Sequence, residues 1–126
     1  RPADLEPAFR LARDGRAQAI FCIDTPFVVV NRSRIVEFAA REHLPVIGEF
    51  PAFGGENLLM AYGADIEDLL RRAGSVVDRI LKGARPGDIP IERPTKLDLL
   101  LNLKVARTLD IAFPRSLLLR ADRVIE

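Results

Sequence analysis

Two carboxylates, Asp24 and Glu49, each stand at the end of an apolar run, and Thr25, Phe27, Phe50 and Phe53 lie close to them along the chain. A charge, a hydroxyl and aromatic rings gathered at strand ends suit a polar small molecule, held by a few hydrogen bonds and stacked on apolar surface. The same residues also serve in ordinary structure, Asp24 and Thr25 as turn caps and the phenylalanines as core. Patterns for catalysis are missing. There is no phosphate loop ending in Gly-Lys-Ser or Gly-Lys-Thr, no G-x-G-x-x-G after a strand, no G-x-S-x-G elbow and no metal-ligand spacing. Asp24 also fits the phosphoacceptor of a receiver domain, but the acidic pair and the later lysine that such a domain needs are not evident. The lone histidine, His43, falls in a polar turn and reads as a surface residue, not a ligand. The lone cysteine, Cys22, cannot form an intrachain disulfide and reads as a small buried hydrophobe within Ala19–Ile23. The expectation is therefore no cofactor, no metal and no catalytic residue.

The 126 residues suit one domain with a proper core, since 48% of them are hydrophobic. Lys plus Arg number 19 against 18 Asp plus Glu, so the chain lacks the broad positive field that would select nucleic acid. No apolar run reaches the roughly 18–20 residues that a membrane-spanning helix requires. The chain opens Arg1-Pro2-Ala3-Asp4 with neither an initiator methionine nor a signal peptide, which suggests removal of an export signal or a start inside a longer protein.

The elements that must position these residues follow from periodicity. Leu5, Ala8, Phe9 and Ala12 recur at helical spacing, with Gly15 as a stop. Ala17–Ile23 reads as a strand covered on both faces, closed by the turn Asp24-Thr25-Pro26. Ser33–Glu42 is a helix with Ser33 as its cap, and Leu44–Phe50 is the second strand. This order predicts a right-handed crossover and a parallel sheet with helices on its faces. Pro51–Asn57 is a Gly/Pro loop and Leu58–Tyr62 a third strand. The most regular helix follows Asp65, with Ile66, Leu69, Leu70, Ala73, Val76, Val77, Ile80 and Leu81 in one stripe that ends at Lys82-Gly83. Ala84–Pro94 runs extended, with Ile89–Glu92 able to pair at an edge. Leu97–Leu103 is a fourth strand, Lys104–Leu109 a short helix, Pro114 the start of another, and Val124-Ile125 closes the chain.

In the second half, Leu59-Met60-Ala61-Tyr62-Gly63, Val77-Asp78-Arg79-Ile80-Leu81-Lys82-Gly83-Ala84-Arg85-Pro86, Ile89-Pro90-Ile91-Glu92-Arg93-Pro94-Thr95-Lys96 and the ending Pro114–Glu126 form an ordered, spaced match. It resembles the ABC-transporter substrate-binding proteins that include tryptophan and tyrosine binders. The resemblance implies a type I periplasmic-binding-protein fold, an α/β architecture of three-layer parallel-sheet lobes, here incomplete without the N-terminal lobe. It assigns residues 1–57 to the C-terminal lobe, 58–91 to a hinge crossing and a helix that packs on the missing lobe, and 92–126 to the return. It implies an extracytoplasmic, periplasmic setting, a small-molecule ligand such as an amino acid or aromatic acid, and a membrane permease as partner. Asp24, Thr25 and Glu49 are the expected polar contacts, with Phe27 and Tyr62 as rings. Asp110 departs from the pattern, standing where the family usually carries glycine. The stripe on 65–83, deprived of its lobe, predicts a homodimer of this fragment. A ligand-sensing regulatory domain on the same fold is the alternative, and a small hydrolase or transferase a third.

Overall fold

The structure is a computed structural model that describes residues 5–51 and 57–126. Helix α1 spans Leu5–Asp14 and turns Leu5 and Phe9 inward. Phe9 stacks on Phe38 with ring centroids 4.2 Å apart, which ties α1 to the helix that carries Phe38. The helix stops before Gly15 as expected, but the left-handed residue there is Arg16, at φ 53°.

Strand β1 is Ile20–Cys22. The expected turn after it opens a short helix, α2 (Pro26–Val30), because Thr25 Oγ1 accepts the Val28 N–H at 3.3 Å and Pro26 supplies a preset φ at the first helical position. Helix α3 covers Arg32–Arg41. Its cap position belongs to Asn31, not to Ser33, which lies one residue inside the helix. The Asn31 side chain does not cap; its Nδ2 donates to the Phe27 carbonyl at 2.9 Å and closes α2 instead. Strand β2 is Val46–Gly48. Strand β3 (Met60–Ala64) leads straight into α4 (Ile66–Leu81), whose first turn is capped by Asp65 accepting from the Glu67 and Asp68 N–H groups. Residues Ile89–Glu92 form no strand; the connection instead holds a 3-10 turn over Pro86–Asp88. Strand β4 (Leu97–Asn102), helices α5 (Leu103–Thr108) and α6 (Arg115–Leu118) and strand β5 (Arg123–Ile125) complete the chain.

The five strands make one sheet in the order β1-β2-β3-β4-β5. β1 and β2 pair parallel, as do β2 and β3, and β4 and β5. The exception is β3 against β4, which is antiparallel over five residue pairs from Met60–Leu101 to Ala64–Leu97. The expected parallel sheet is thus mostly parallel, with a reversal at the place where the chain leaves for α4 and comes back.

Ala39 from α3 packs with Val46, Leu58, Ala61 and Leu100, and a second cluster joins Leu5, Phe9, Ile35 and Phe38. Both alternating sets of β4 are buried, from Leu99 to Asn102, so this strand is covered on both faces. β1 is covered on one face only. Ile20 and Cys22 meet the helices, while Phe21 and Ile23 remain 62% and 60% exposed. Helix α4 has no buried residue at all, and Leu70 and Leu81 of its stripe lie open. Asp110 adopts a left-handed φ of 54°, the conformation that glycine would supply; aspartate tolerates it better than most residues do.

Candidate functional site

The carboxyl ends of β1, β2 and β3 lie at the same end of the sheet as the starts of β4 and β5, as the strand directions require. Three of the residues singled out from sequence meet there. The Asp24 carboxylate, its side chain only 4% exposed, takes Arg32 Nη2 at 3.3 Å on one oxygen and the Phe50 N–H at 3.2 Å on the other. Glu49 answers from the second strand: its Oε2 accepts the Asp24 N–H at 3.2 Å. The two strand ends are therefore laced reciprocally, each acid gripping the other strand's backbone. Thr25 caps α2 beside them. Gly63 lies so close to this lacing that an added Cβ would fall 1.8 Å from the Glu49 carbonyl oxygen.

The rings fall elsewhere. Phe27 packs half-buried against the α1–α3 cluster. Tyr62, 49% exposed, pairs with Leu99 and projects from the side of the sheet opposite Ala61, which packs on α3. Asp24, Thr25 and Glu49 are brought together, Phe27 is close in chain and Tyr62 stands apart. Phe53 and the Gly54–Glu56 loop lie outside the described residues.

Sequence reasoning missed three groups at this end. Arg32, the counter-ion of Asp24, is separated from it by eight residues and an intervening helix, a spacing that carries no local signal. Lys96 pairs with Asp65 and reaches toward Asp98 at 3.9 Å. Arg72 bonds Asp68 at 2.7 Å, Glu92 at 3.4 Å and the Thr95 hydroxyl, so that α4 is tied to the returning chain. The hydrogen bond from Lys96, with help from the Asp68 N–H, holds the Asp65 carboxyl below its usual range, and Lys96 is raised in turn. The Cys22 thiol is pushed up by burial and then by the Asp24 charge, which suppresses the reactive thiolate.

Two hollows flank the site. One, of about 220 Å³, is lined by Pro51, Asp65, Glu67, Lys96, Asp98 and Arg123 at the same sheet end. The other, of about 430 Å³, is an apolar groove between α1 and the open edge of β1, bounded by Ala8, Phe9, Phe21 and Ile23. Among the described residues no cluster of acids, histidines and cysteines could hold a metal, and no helix is long and apolar enough to cross a membrane.

The profile of the family described as ABC transporter substrate binding protein matches residues 2–125. Solved structures share the fold, three of them as follows. A conserved domain protein from Vibrio cholerae superposes with a TM-score of 0.86 at 22% identity, covering 97% of this chain and 41% of its own. An ABC domain from Streptococcus pneumonia, solved in complex with L-Trp, gives 0.77 at 28% identity over 86% of this chain and 38% of its own. The ligand-free, open form of CD0873, a substrate-binding protein with adhesive properties from Clostridium difficile, gives 0.67 at 17% identity, covering 98% of this chain and 41% of its own. The chain spans about two fifths of the length of these structures. No curated protein sequence matches it. With a sheet, a strand-end site and a family profile that covers nearly its whole length, the chain belongs to the ABC transporter substrate-binding protein family.

Proposed function

We propose that this chain forms one wall of a ligand cleft in an extracytoplasmic solute-binding protein that delivers a small molecule to the permease of an ABC uptake transporter. The observation that carries this reading is the laced end of β1 and β2, where Asp24, Thr25 and Glu49 converge beside the point at which β3 leaves the sheet. Open α/β sheets bind ligands beyond the carboxyl ends of their strands, where loops and helix starts meet. The reading is one of binding: the acids grip backbone, and among the described residues no nucleophile is paired with a base. In the whole protein, residues 1–57 and 92–126 belong to one lobe, 58–91 cross the hinge, and α4 packs in the other lobe. Closure of the two lobes around the solute presents the form that the permease recognises. Asp24, Thr25 and Glu49 supply the polar contacts. The L-Trp of the pneumococcal relative favours an amino acid or aromatic acid as solute.

The test is a thermal-shift and calorimetric screen of the full-length protein against amino acids and small aromatic acids. A saturable rise in melting temperature with at least one of them is expected, and a flat response across the panel would remove the transport reading. A second expectation concerns the 126 residues alone. With the stripe of α4 uncovered, the fragment pairs with a second copy through that helix. Light scattering should give about twice 14.0 kDa, and a stable monomer at high concentration would count against the pairing.

A further inference from the structure

Helix α4 has no buried residue among the described residues, so apolar packing does not fix it against the segment that returns from it. Arg72 supplies that fix through hydrogen bonds. Its Nε donates to Asp68 of its own helix at 2.7 Å, its Nη1 reaches Glu92 at 3.4 Å, and its Nη2 donates to the Thr95 hydroxyl. All three guanidinium nitrogens are thus engaged. One holds the side chain down on the helix, and two grip the return segment 20 and 23 residues further along the chain. A planar fork suits this task, because an ammonium would bring the charge without donors in three fixed directions.

A second tie lies nearer the sheet, where Asp65 and Lys96 are joined through both backbone and side chain just past the ends of β3 and β4. Two crossings joined at one level still turn independently about that point. Joined again seven residues along α4, about 10 Å away at the helical rise, they do not. We infer that Arg72 is a positioning residue of the hinge: it couples the outgoing and returning crossings so that they turn as one and the lobes close along a single path. Arg72 acts through Glu92 and Thr95 and touches no solute. Without it the return segment turns separately from α4, and the walls of the cleft meet out of register in part of the population. Apparent affinity then falls with the fraction that remains able to close. This inference rests on the two-lobed solute-binding reading above and concerns its motion, not its ligand.

The experiment uses the full-length protein with its native cysteines replaced and spin labels attached at Glu37→Cys on α3 and Arg79→Cys on α4, both exposed positions. Double electron-electron resonance without solute reads the spread of distances between the sheet lobe and α4. Arg72→Gln, and Arg72→Lys, which keeps only the charge, should each widen that spread by about twofold. Glu92→Gln and Thr95→Val, which remove one grip apiece, should give intermediate widths. Salt at about 1 M, where the screening length is about 3 Å, should widen the wild type partway and leave Arg72→Gln unchanged. Melting temperatures should stay within about 2 °C of the wild type, since ion pairs this exposed add little to stability, so a folding loss is told apart from a loss of coupling. For a solute that binds, affinity should fall about threefold in Arg72→Gln, as it does when the competent fraction is cut to a third. Equal widths in the wild type and Arg72→Gln overturn the coupling, whatever solute binds. An equal salt response in the two does the same, because it places the salt-sensitive tie elsewhere. A wild-type distribution that no amino acid or small aromatic acid moves tells against the solute-binding reading and leaves the comparison of widths to decide the coupling.

Discussion

Replacing Asp24 with alanine is expected to lower the unfolding free energy by about 3 kcal/mol, the cost of stranding a part-buried charge together with a backbone donor. One carboxylate serves two part-buried groups: the Arg32 guanidinium, its side chain 24% exposed, and the Phe50 N–H. Asp24→Asn separates the contributions, because the amide keeps an acceptor for one of them and surrenders the charge that answers Arg32. Its loss should be smaller than that of alanine. Urea denaturation of the purified protein, read from the shift in midpoint at constant slope, measures both. Equal and negligible shifts would mean that the two strand ends are held by packing alone. Since Asp24 is also a proposed solute contact, affinity should be measured on the fraction that remains folded.

The second large effect is expected at Gly63. An alanine Cβ there would sit 1.8 Å from the Glu49 carbonyl oxygen and 2.9 Å from its carbon, both of them backbone atoms that no rotamer change can move aside. β2 and β3 would have to separate, so Gly63→Ala should cost about 3 kcal/mol or more, at or beyond the upper end of ordinary overpacking. The same substitution at Gly74, on the open surface of α4 with nothing within 4 Å, should stabilise by about 0.5–1 kcal/mol through helix propensity. The opposite signs of one chemical change at two glycines make the comparison independent of the unfolded state's general response to alanine. Melting curves of both variants decide it.

Much of the sheet was legible in the sequence because its strands are short apolar runs bounded by turn residues, and α4 because eight apolar positions recur at helical spacing. Local signals failed where two candidates competed within a few residues. Thr25-Pro26 reads equally as a turn or as the opening of a helix, and Ser33 lost the cap position to Asn31, whose side chain was drawn to the carbonyl of Phe27. The antiparallel match of β3 with β4 was not legible, since 32 residues intervene between Ala64 and Leu97 and their pairing is fixed by where α4 sends the chain. Within the site, Asp24 and Glu49 stood out as acids after strands, but their partners did not. Arg32 is one of many arginines, and only the fold makes it the neighbour of Asp24. Tyr62 was picked from its motif, and strand alternation then set it on the face away from α3. The charges around Arg123 escaped notice because they come from three separate stretches of chain.

The antiparallel ribbon of β3 and β4 has a mechanical consequence. The outgoing and returning strands are cross-bonded over five residue pairs, so they resist shear as a unit, and bending is cheapest where that ladder stops, beyond Ala64 and before Leu97. At that stop the Asp65 N–H donates to the Lys96 carbonyl at 3.1 Å, and the two side chains form their own ion pair. Any swing of α4 against the sheet is thereby focused on one pair of residues clasped by both backbone and side chain. The angle that α4 can reach is set by how far this clasp can twist before it parts.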